Sequence, residues 1–141
     1  KISLATMICY EIGIPQLSHD IISQQSSLIV NISNDAWFGN SSESEQQLDM
    51  LILRSAEYGL PAIRSTGYGV AALIANARVI TKSDIDNKSI IKGTINLQPY
   101  QPTLWAQIPN WPIIITAGVV LIYIFMRVFR ICPSYLVCTE E

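Results

Sequence analysis

Fourteen consecutive residues without a charge, IIITAGVVLIYIFM at 113–126, constrain this chain more than any other feature. Arg127 interrupts the run only briefly before Val128 and Phe129. A helix that crosses a bilayer needs roughly 20 apolar residues, with about 17 at the lower end. The run reaches that length if Arg127 lays its aliphatic stem along the lipid and lifts its guanidinium to the interface, with Trp111 at the opposite boundary. The alternative is a helix buried in a protein core, which is rarely apolar on every face. Arg127 and Arg130 flank the C-terminal end, and no Lys or Arg lies between Lys92 and the run. The positive-inside bias then predicts a cytoplasmic C-terminus, with the preceding residues on the other side of the membrane.

Those preceding residues are of a different kind. ISLATMIC (2–9) is a short apolar run compatible with a buried strand, and PQLSHDIISQQ (15–25) reads as a helix opened by Gly13 and Pro15. SSLIVNIS returns to strand and ends in the turn-rich NDAWFGNSSESE. Ser44 with Gln47 three residues on resembles a capping box, followed by Leu48, Leu51, Ile52, Ser55 and Ala56 at helical spacing, with Gly59 and Pro61 as the stop. Short extended pieces follow: AIRST, VAALIAN after the Gly67-Tyr68-Gly69 turn, RVIT, and IIKGTINL at 90–97. This order predicts an α/β domain. PYQPTLWAQIPNWP reads as a linker whose aromatic residues suit a lipid–water boundary. The chain begins at Lys1 inside an apolar segment, without the basic, apolar and small-residue pattern of a signal peptide, which predicts a piece of a longer protein.

Composition narrows the partners. A formal net charge of -2 with 14% charged residues offers no basic field for nucleic acid, while the positive mean hydropathy of +0.32 points to lipid. Cys9, Cys132 and Cys138 are an odd number without zinc-ligand spacing, so reduced thiols are expected and no metal.

The chemistry centres on MICYE at 7–11. Cys9 is either a small apolar filler at the end of a strand or a nucleophile presented at a sharp strand-to-helix turn. In the second case backbone N–H groups, that of Tyr10 among them, can face the oxyanion of an acyl-transfer intermediate. A free thiol is mostly protonated at neutral pH and needs a base or a positive neighbour. His19, the single histidine, falls on the expected solvent face of its helix. The base is then a carboxylate or a lysine; Glu11 is the nearest carboxylate, either an exposed turn residue or a group that orients an amine. Trp37 and Phe38 form an aromatic pair in a glycine-containing loop that either dips into a bilayer interface or anchors the loop on the core.

ICYE, then Ile14-Pro15-Gln16-Leu17, the strand and loop LIVNISNDAWFG, a helix holding Arg54 and Glu57, and Ile63-Arg64-Ser65-Thr66 together resemble the nitrilase superfamily. With the terminal apolar helix, NDAWFG is similar to the C-terminal third of its apolipoprotein N-acyltransferase branch. The resemblance implies a partial nitrilase-like αββα sandwich followed by one transmembrane helix: residues 1–98 in the sandwich, 99–111 an interfacial linker, 112–129 the membrane span and 130–141 a cytoplasmic tail. It implies a bacterial inner-membrane enzyme with a periplasmic catalytic domain. Its partners would be a phospholipid acyl donor and a diacylglyceryl-modified apolipoprotein acceptor, with no cofactor. Cys9 matches the nucleophile that carries the acyl chain as a thioester, Tyr10 and Glu11 match pocket-shaping neighbours, and Trp37 with Phe38 matches a mobile loop near the lipid entrance. The general-base glutamate and oxyanion lysine belong to segments before the nucleophile. Arg54, Glu57 and Arg64 match polar positions expected to pair within the fold. This chain departs from the family at Gln16, where glutamate is common, at Gln47, where histidine is, and at Gly67-Tyr68-Gly69, where an asparagine-glycine turn is. A soluble amidase of the same superfamily and a non-catalytic membrane-anchored module are the alternatives.

Overall fold

The computed structural model describes residues 2–22, 25–39, 41–85, 89–97 and 100–131, with residues 130 and 131 described as backbone only. Cys132 and Cys138 lie outside the described residues, as does the tail after 131. The chain divides into two compact units, Lys1–Gln107 and Ile108–Glu141.

The first unit is built on one five-stranded mixed sheet in the order β1-β2-β3-β4-β5, with β1 Leu4–Ile8, β2 Leu28–Ser33, β3 Ala62–Thr66, β4 Ala72–Ala75 and β5 Arg78–Lys82. The first three strands run parallel, joined by α1 (Pro15–Ile22) and α2 (Glu43–Tyr58), and β4 and β5 return antiparallel. Period-two alternation sets the faces. Ala5 and Met7, Ile29 and Asn31, Ala62 and Arg64 all turn inward in register. They meet Leu48 and Leu51 of α2 and Ile22 of α1 in the core. Leu4, Ile8 and Ile32 point to the opposite face and stay 55%, 59% and 49% exposed. An apolar sheet face of this kind is what a second stacked sheet covers.

Local chemistry sets the ends. Gly59 closes α2 in the left-handed conformation (φ 65°), and its N–H returns to carbonyls of the last turn. The β4–β5 hairpin turns through Asn76 and Ala77, both at positive φ, as a two-residue connection between twisted strands demands.

Three expectations change. The segment 90–97 forms no strand: it runs irregularly, with Thr94, Ile95 and Asn96 beside Gly59–Pro61 and the β4–β5 turn. None of its apolar residues is buried, and Ile90 and Leu97 are exposed, so no inward face holds the segment in a ladder. His19 does not face solvent. It is half-buried, its ring 6.4 Å from that of Tyr58 on α2. The stretch read as a linker has contacts and a helix that the sequence did not predict: Tyr100, Trp105 and Ala106 pack on the core, and a short helix α3 (Leu104–Gln107) lies against α2. The Thr103 hydroxyl donates to the Glu57 carbonyl and accepts from the Ala106 N–H. Burial of two large aromatic rings outweighs the tendency of a Pro-rich segment to stay extended.

The second unit contains α4, Trp111–Ile131. Over Trp111–Phe129 its mean hydropathy is 2.2 and none of it is buried, so it is not the core helix of its unit. At 1.5 Å per residue its 21 residues extend about 32 Å, the thickness of a bilayer's hydrocarbon layer. Arg127 donates from Nε to the Tyr123 hydroxyl one turn back at 3.2 Å.

Candidate active site

In a parallel sheet the loops leaving the C-terminal ends of adjacent strands gather at one edge. Ile8 pairs with Ile32, and Ser33 with Thr66, so the junctions after β1, β2 and β3 stand almost level. They carry the Cys9 turn, the NDAWFG loop and the Gly67-Tyr68-Gly69 turn. The loops are also tied to one another: Asp35 N–H donates to the Tyr68 carbonyl at 3.0 Å, and Gly67 N–H to the Ser33 carbonyl at 3.1 Å.

Cys9 is the first residue after β1 and opens a 3-10 turn, Cys9–Gly13. It is a free, half-buried thiol, and its φ is 49°. A residue other than glycine rarely occupies that region, and holding it there costs on the order of 1–3 kcal/mol. Two clamps hold it. Glu11 folds back so that its Oε2 accepts the Ile8 N–H at 2.7 Å. From below, Asn31 Nδ2 donates to the carbonyls of both Met7 and Cys9, each at 3.2 Å. The chain therefore makes the sharp turn expected at ICYE. Tyr10 is 55% exposed beside it, its ring against Gly13, where a Cβ would stand 3.1 Å from the ring and 3.2 Å from Met50 Sδ.

Beneath the turn lies a buried polar network that the sequence reading did not assemble. Arg64, 1% exposed, donates from Nε to the Val70 carbonyl at 3.1 Å. Its two terminal nitrogens reach Asn31 Oδ1, Asp35 Oδ2 at 2.6 Å and Gln47 Oε1 at 3.1 Å. Asp35 also accepts from the hydroxyls of Ser33 and Ser44. Val70 N–H donates to Ser44 Oγ at 2.8 Å. Gly69 completes the enclosure: at φ 123° a Cβ there would fall 2.5 Å from both Asp35 Oδ2 and Ser44 Oγ, so only glycine fits.

Burial pushes the Asp35 carboxyl up, but hydrogen bonds from Ser33 and Ser44 and the charge and hydrogen bond of Arg64 outweigh it and hold the group below its ordinary range. Arg64 thus pairs within the fold as expected. So does Arg54 with Glu57 on α2, where burial nonetheless keeps the Glu57 carboxyl above the usual value against the pull of Arg54. Burial, with Glu57 adding to it, pushes the neighbouring Tyr58 hydroxyl up to about 12.

Ser44 and Gln47 do not form a capping box. The N-cap position of α2 is Ser42, and both residues point into the network from the helix's inner face. The sequence carried a sign of this: Ser44, Gln47 and Ser55 share the stripe of Leu48 and Leu51, and polar residues on an apolar stripe need inward partners. Asn31 and Arg64 carried it too, each in the inward phase of a strand. Trp37 and Phe38 sit in a short 3-10 turn, Ala36–Phe38, and are 88% and 47% exposed. Trp37 is therefore not an anchor packed on this unit's core. Among the described residues no group of three His, Cys, Asp or Glu side chains is placed to hold a metal ion.

The chain is 33% identical to an apolipoprotein N-acyltransferase of Shewanella oneidensis over 125 residues, which is 88% of this chain and 24% of that protein. It is 31% identical to the protein of the same name from Rickettsia bellii, over 89% of this chain and 24% of the relative. The chain thus spans about a quarter of the length of the curated relatives it matches. A solved amidase from Nesterenkonia sp. AN1 aligns with a TM-score of 0.45 at 11% identity, over 59% of this chain and 35% of that one. The carbon-nitrogen hydrolase profile matches residues 2–103, a span that holds the whole sheet, the Cys9 turn and the network beneath it. The chain belongs to the carbon-nitrogen hydrolase family.

Proposed function

We propose that this chain is the nucleophile-bearing part of a membrane-bound N-acyltransferase, with Cys9 as the nucleophile and a lipid-anchored amine as the acceptor. The observation that carries the reading is the left-handed backbone of Cys9 at the end of a parallel strand, in a chain whose relatives bear the name apolipoprotein N-acyltransferase. A strained turn that lifts a thiol out of a sheet has no structural use that an unstrained one would not serve as well.

In this reading the Cys9 thiolate attacks the ester carbonyl of a phospholipid. The carbon–oxygen bond breaks, the lysophospholipid leaves with a proton, and the acyl chain remains on sulfur as a thioester. The amine of a diacylglyceryl-modified lipoprotein N-terminus then attacks that carbonyl, the carbon–sulfur bond breaks, and the amide forms with loss of a proton. In this reading the Tyr10 N–H faces both oxyanions. Glu11 is engaged by the Ile8 N–H and His19 lies against Tyr58, so the base and a cationic oxyanion partner are assigned to sequence outside these residues, as the family resemblance implies.

α4 fits a membrane span, and in this reading its arginine-flanked C-terminal end faces the cytoplasm of a bacterial cell and the residues before it face the periplasm, which the positive-inside bias supports. Trp37 and Phe38, exposed beside the site, are suited to the interface where acyl chains enter. Anchoring both substrates and the thiol in one plane raises their effective concentration.

The test is full-length protein in vesicles, supplied with phospholipid and a diacylglyceryl-cysteine peptide on the face opposite the C-terminal tail. Expected is an acylated N-terminal amine with parallel double-reciprocal plots, the pattern of a covalent intermediate. Intersecting plots, hydrolysis in place of transfer, or activity confined to the tail side would each contradict the proposal.

A further inference from the structure

We infer that Asn31 is a positioning residue that aims the Tyr10 N–H at the reacting carbonyl, with Arg64 holding Asn31 in place; the inference rests on the reading of Cys9 as nucleophile.

One peptide plane joins Asn31's contact to the Tyr10 N–H. Among the described residues there are no cis peptide bonds, so across the Cys9–Tyr10 bond the carbonyl and the N–H point in opposite directions. Asn31 Nδ2 draws the Cys9 carbonyl inward at 3.2 Å. The Tyr10 N–H must then point outward, to the side where Tyr10 and Ile8 are exposed. The same amide group takes the Met7 carbonyl at 3.2 Å, so the last turn of β1 and the cysteine are fixed by one side chain.

An asparagine amide can rotate by half a turn and present oxygen where nitrogen was. Here it cannot. Its Oδ1 accepts from the Arg64 guanidinium, which carries no acceptor and can only meet oxygen. Arg64 is in turn fixed by Asp35, Gln47 and the Val70 carbonyl. The chain of contacts thus converts a buried ion pair into the orientation of a backbone donor at the surface. Asn31 is fully buried, so its part is to orient and not to react.

The test uses full-length protein and two reactions of the same thiol. Acyl loading from phospholipid without acceptor passes through an oxyanion, whereas alkylation by iodoacetamide does not. Asn31→Asp keeps the side-chain size and the contact with Arg64 but sets an acceptor against both carbonyls. It is expected to slow loading about 10²-fold, the loss typical of an oxyanion donor, while alkylation of Cys9 stays within about threefold of wild type by the same argument. Loading at the wild-type rate overturns the inference, and so does an equal fall in both reactions, which marks a merely structural role. Should Asn31→Asp not accumulate, Asn31→Leu, an apolar isostere, is read by the same ratio of rates. If wild-type protein never loads an acyl group on Cys9, the functional reading fails and not the positioning alone.

Discussion

Cys9→Ser in the full-length protein lowers acyl transfer by on the order of 10⁴–10⁶-fold, the loss seen when a covalent nucleophile is removed. Serine has the size and the backbone tolerance to occupy the same turn, so the amount of folded, membrane-inserted protein is unchanged. The loss comes from chemistry. A hydroxyl gives up its proton far less readily than a thiol, and the oxyester it would form is a poorer acyl donor to an amine than a thioester. Transfer assayed by mass shift of the acceptor peptide, normalised to folded protein, checks this. A variant retaining a tenth or more of wild-type activity would mean that Cys9 is a half-buried filler after all.

Arg64→Met destabilises the first unit by about 3–5 kcal/mol, the usual cost of leaving one member of a buried ion pair alone. That is a large share of the roughly 5–15 kcal/mol that holds a domain together. The Asp35 carboxylate, 1% exposed, would keep the hydroxyls of Ser33 and Ser44 but lose its cation. The pH response changes sign. In the wild type, burial raises the Asp35 pKa but its hydrogen bonds and Arg64 lower it further. Its contribution to stability is therefore present above the unfolded value and fades as pH falls below about 4. In Arg64→Met the burial remains and the cation does not, so the pKa rises. The variant should then gain stability relative to wild type as pH falls from 7 toward 5. Pulse proteolysis of full-length protein in detergent at both pH values checks it. Equal resistance at pH 7, or a variant that weakens further on mild acidification, would show that the Arg64–Asp35 pair does not bear on the fold.

Much of this was legible from residues alone, for identifiable reasons. The long apolar helix follows from an uncharged run that no turn chemistry interrupts. The β1-β2-β3 core follows from two short apolar runs and the extended piece AIRST, separated by two helical patterns, an order that makes an α/β domain. The Cys9 turn was legible because a strand ending in cysteine is followed within six residues by the Pro15 helix start. The buried network was harder to see. Its members come from β2, the NDAWFG loop, α2 and β3, and its residues are ordinary at short range: Ser44 with Gln47 looks like a cap until the helix is seen to start at Glu43. What gave them meaning was phase, polar side chains on the inward register of strand and helix, and phase yields partners only once the strands are paired. His19 and the docked Tyr100 and Trp105 were missed for a related reason. Their burial depends on α2 and α3 packing, which local composition does not encode.

The central claim is that the sulfur of Cys9 carries the acyl group between donor and acceptor. The most direct measurement is intact and peptide mass spectrometry of full-length protein incubated with phospholipid in the absence of acceptor. The account predicts one added acyl mass, located on the peptide containing Cys9, released by neutral hydroxylamine and discharged by added acceptor peptide. An enzyme that transfers acyl chains at full rate yet never shows that mass on Cys9 would contradict it.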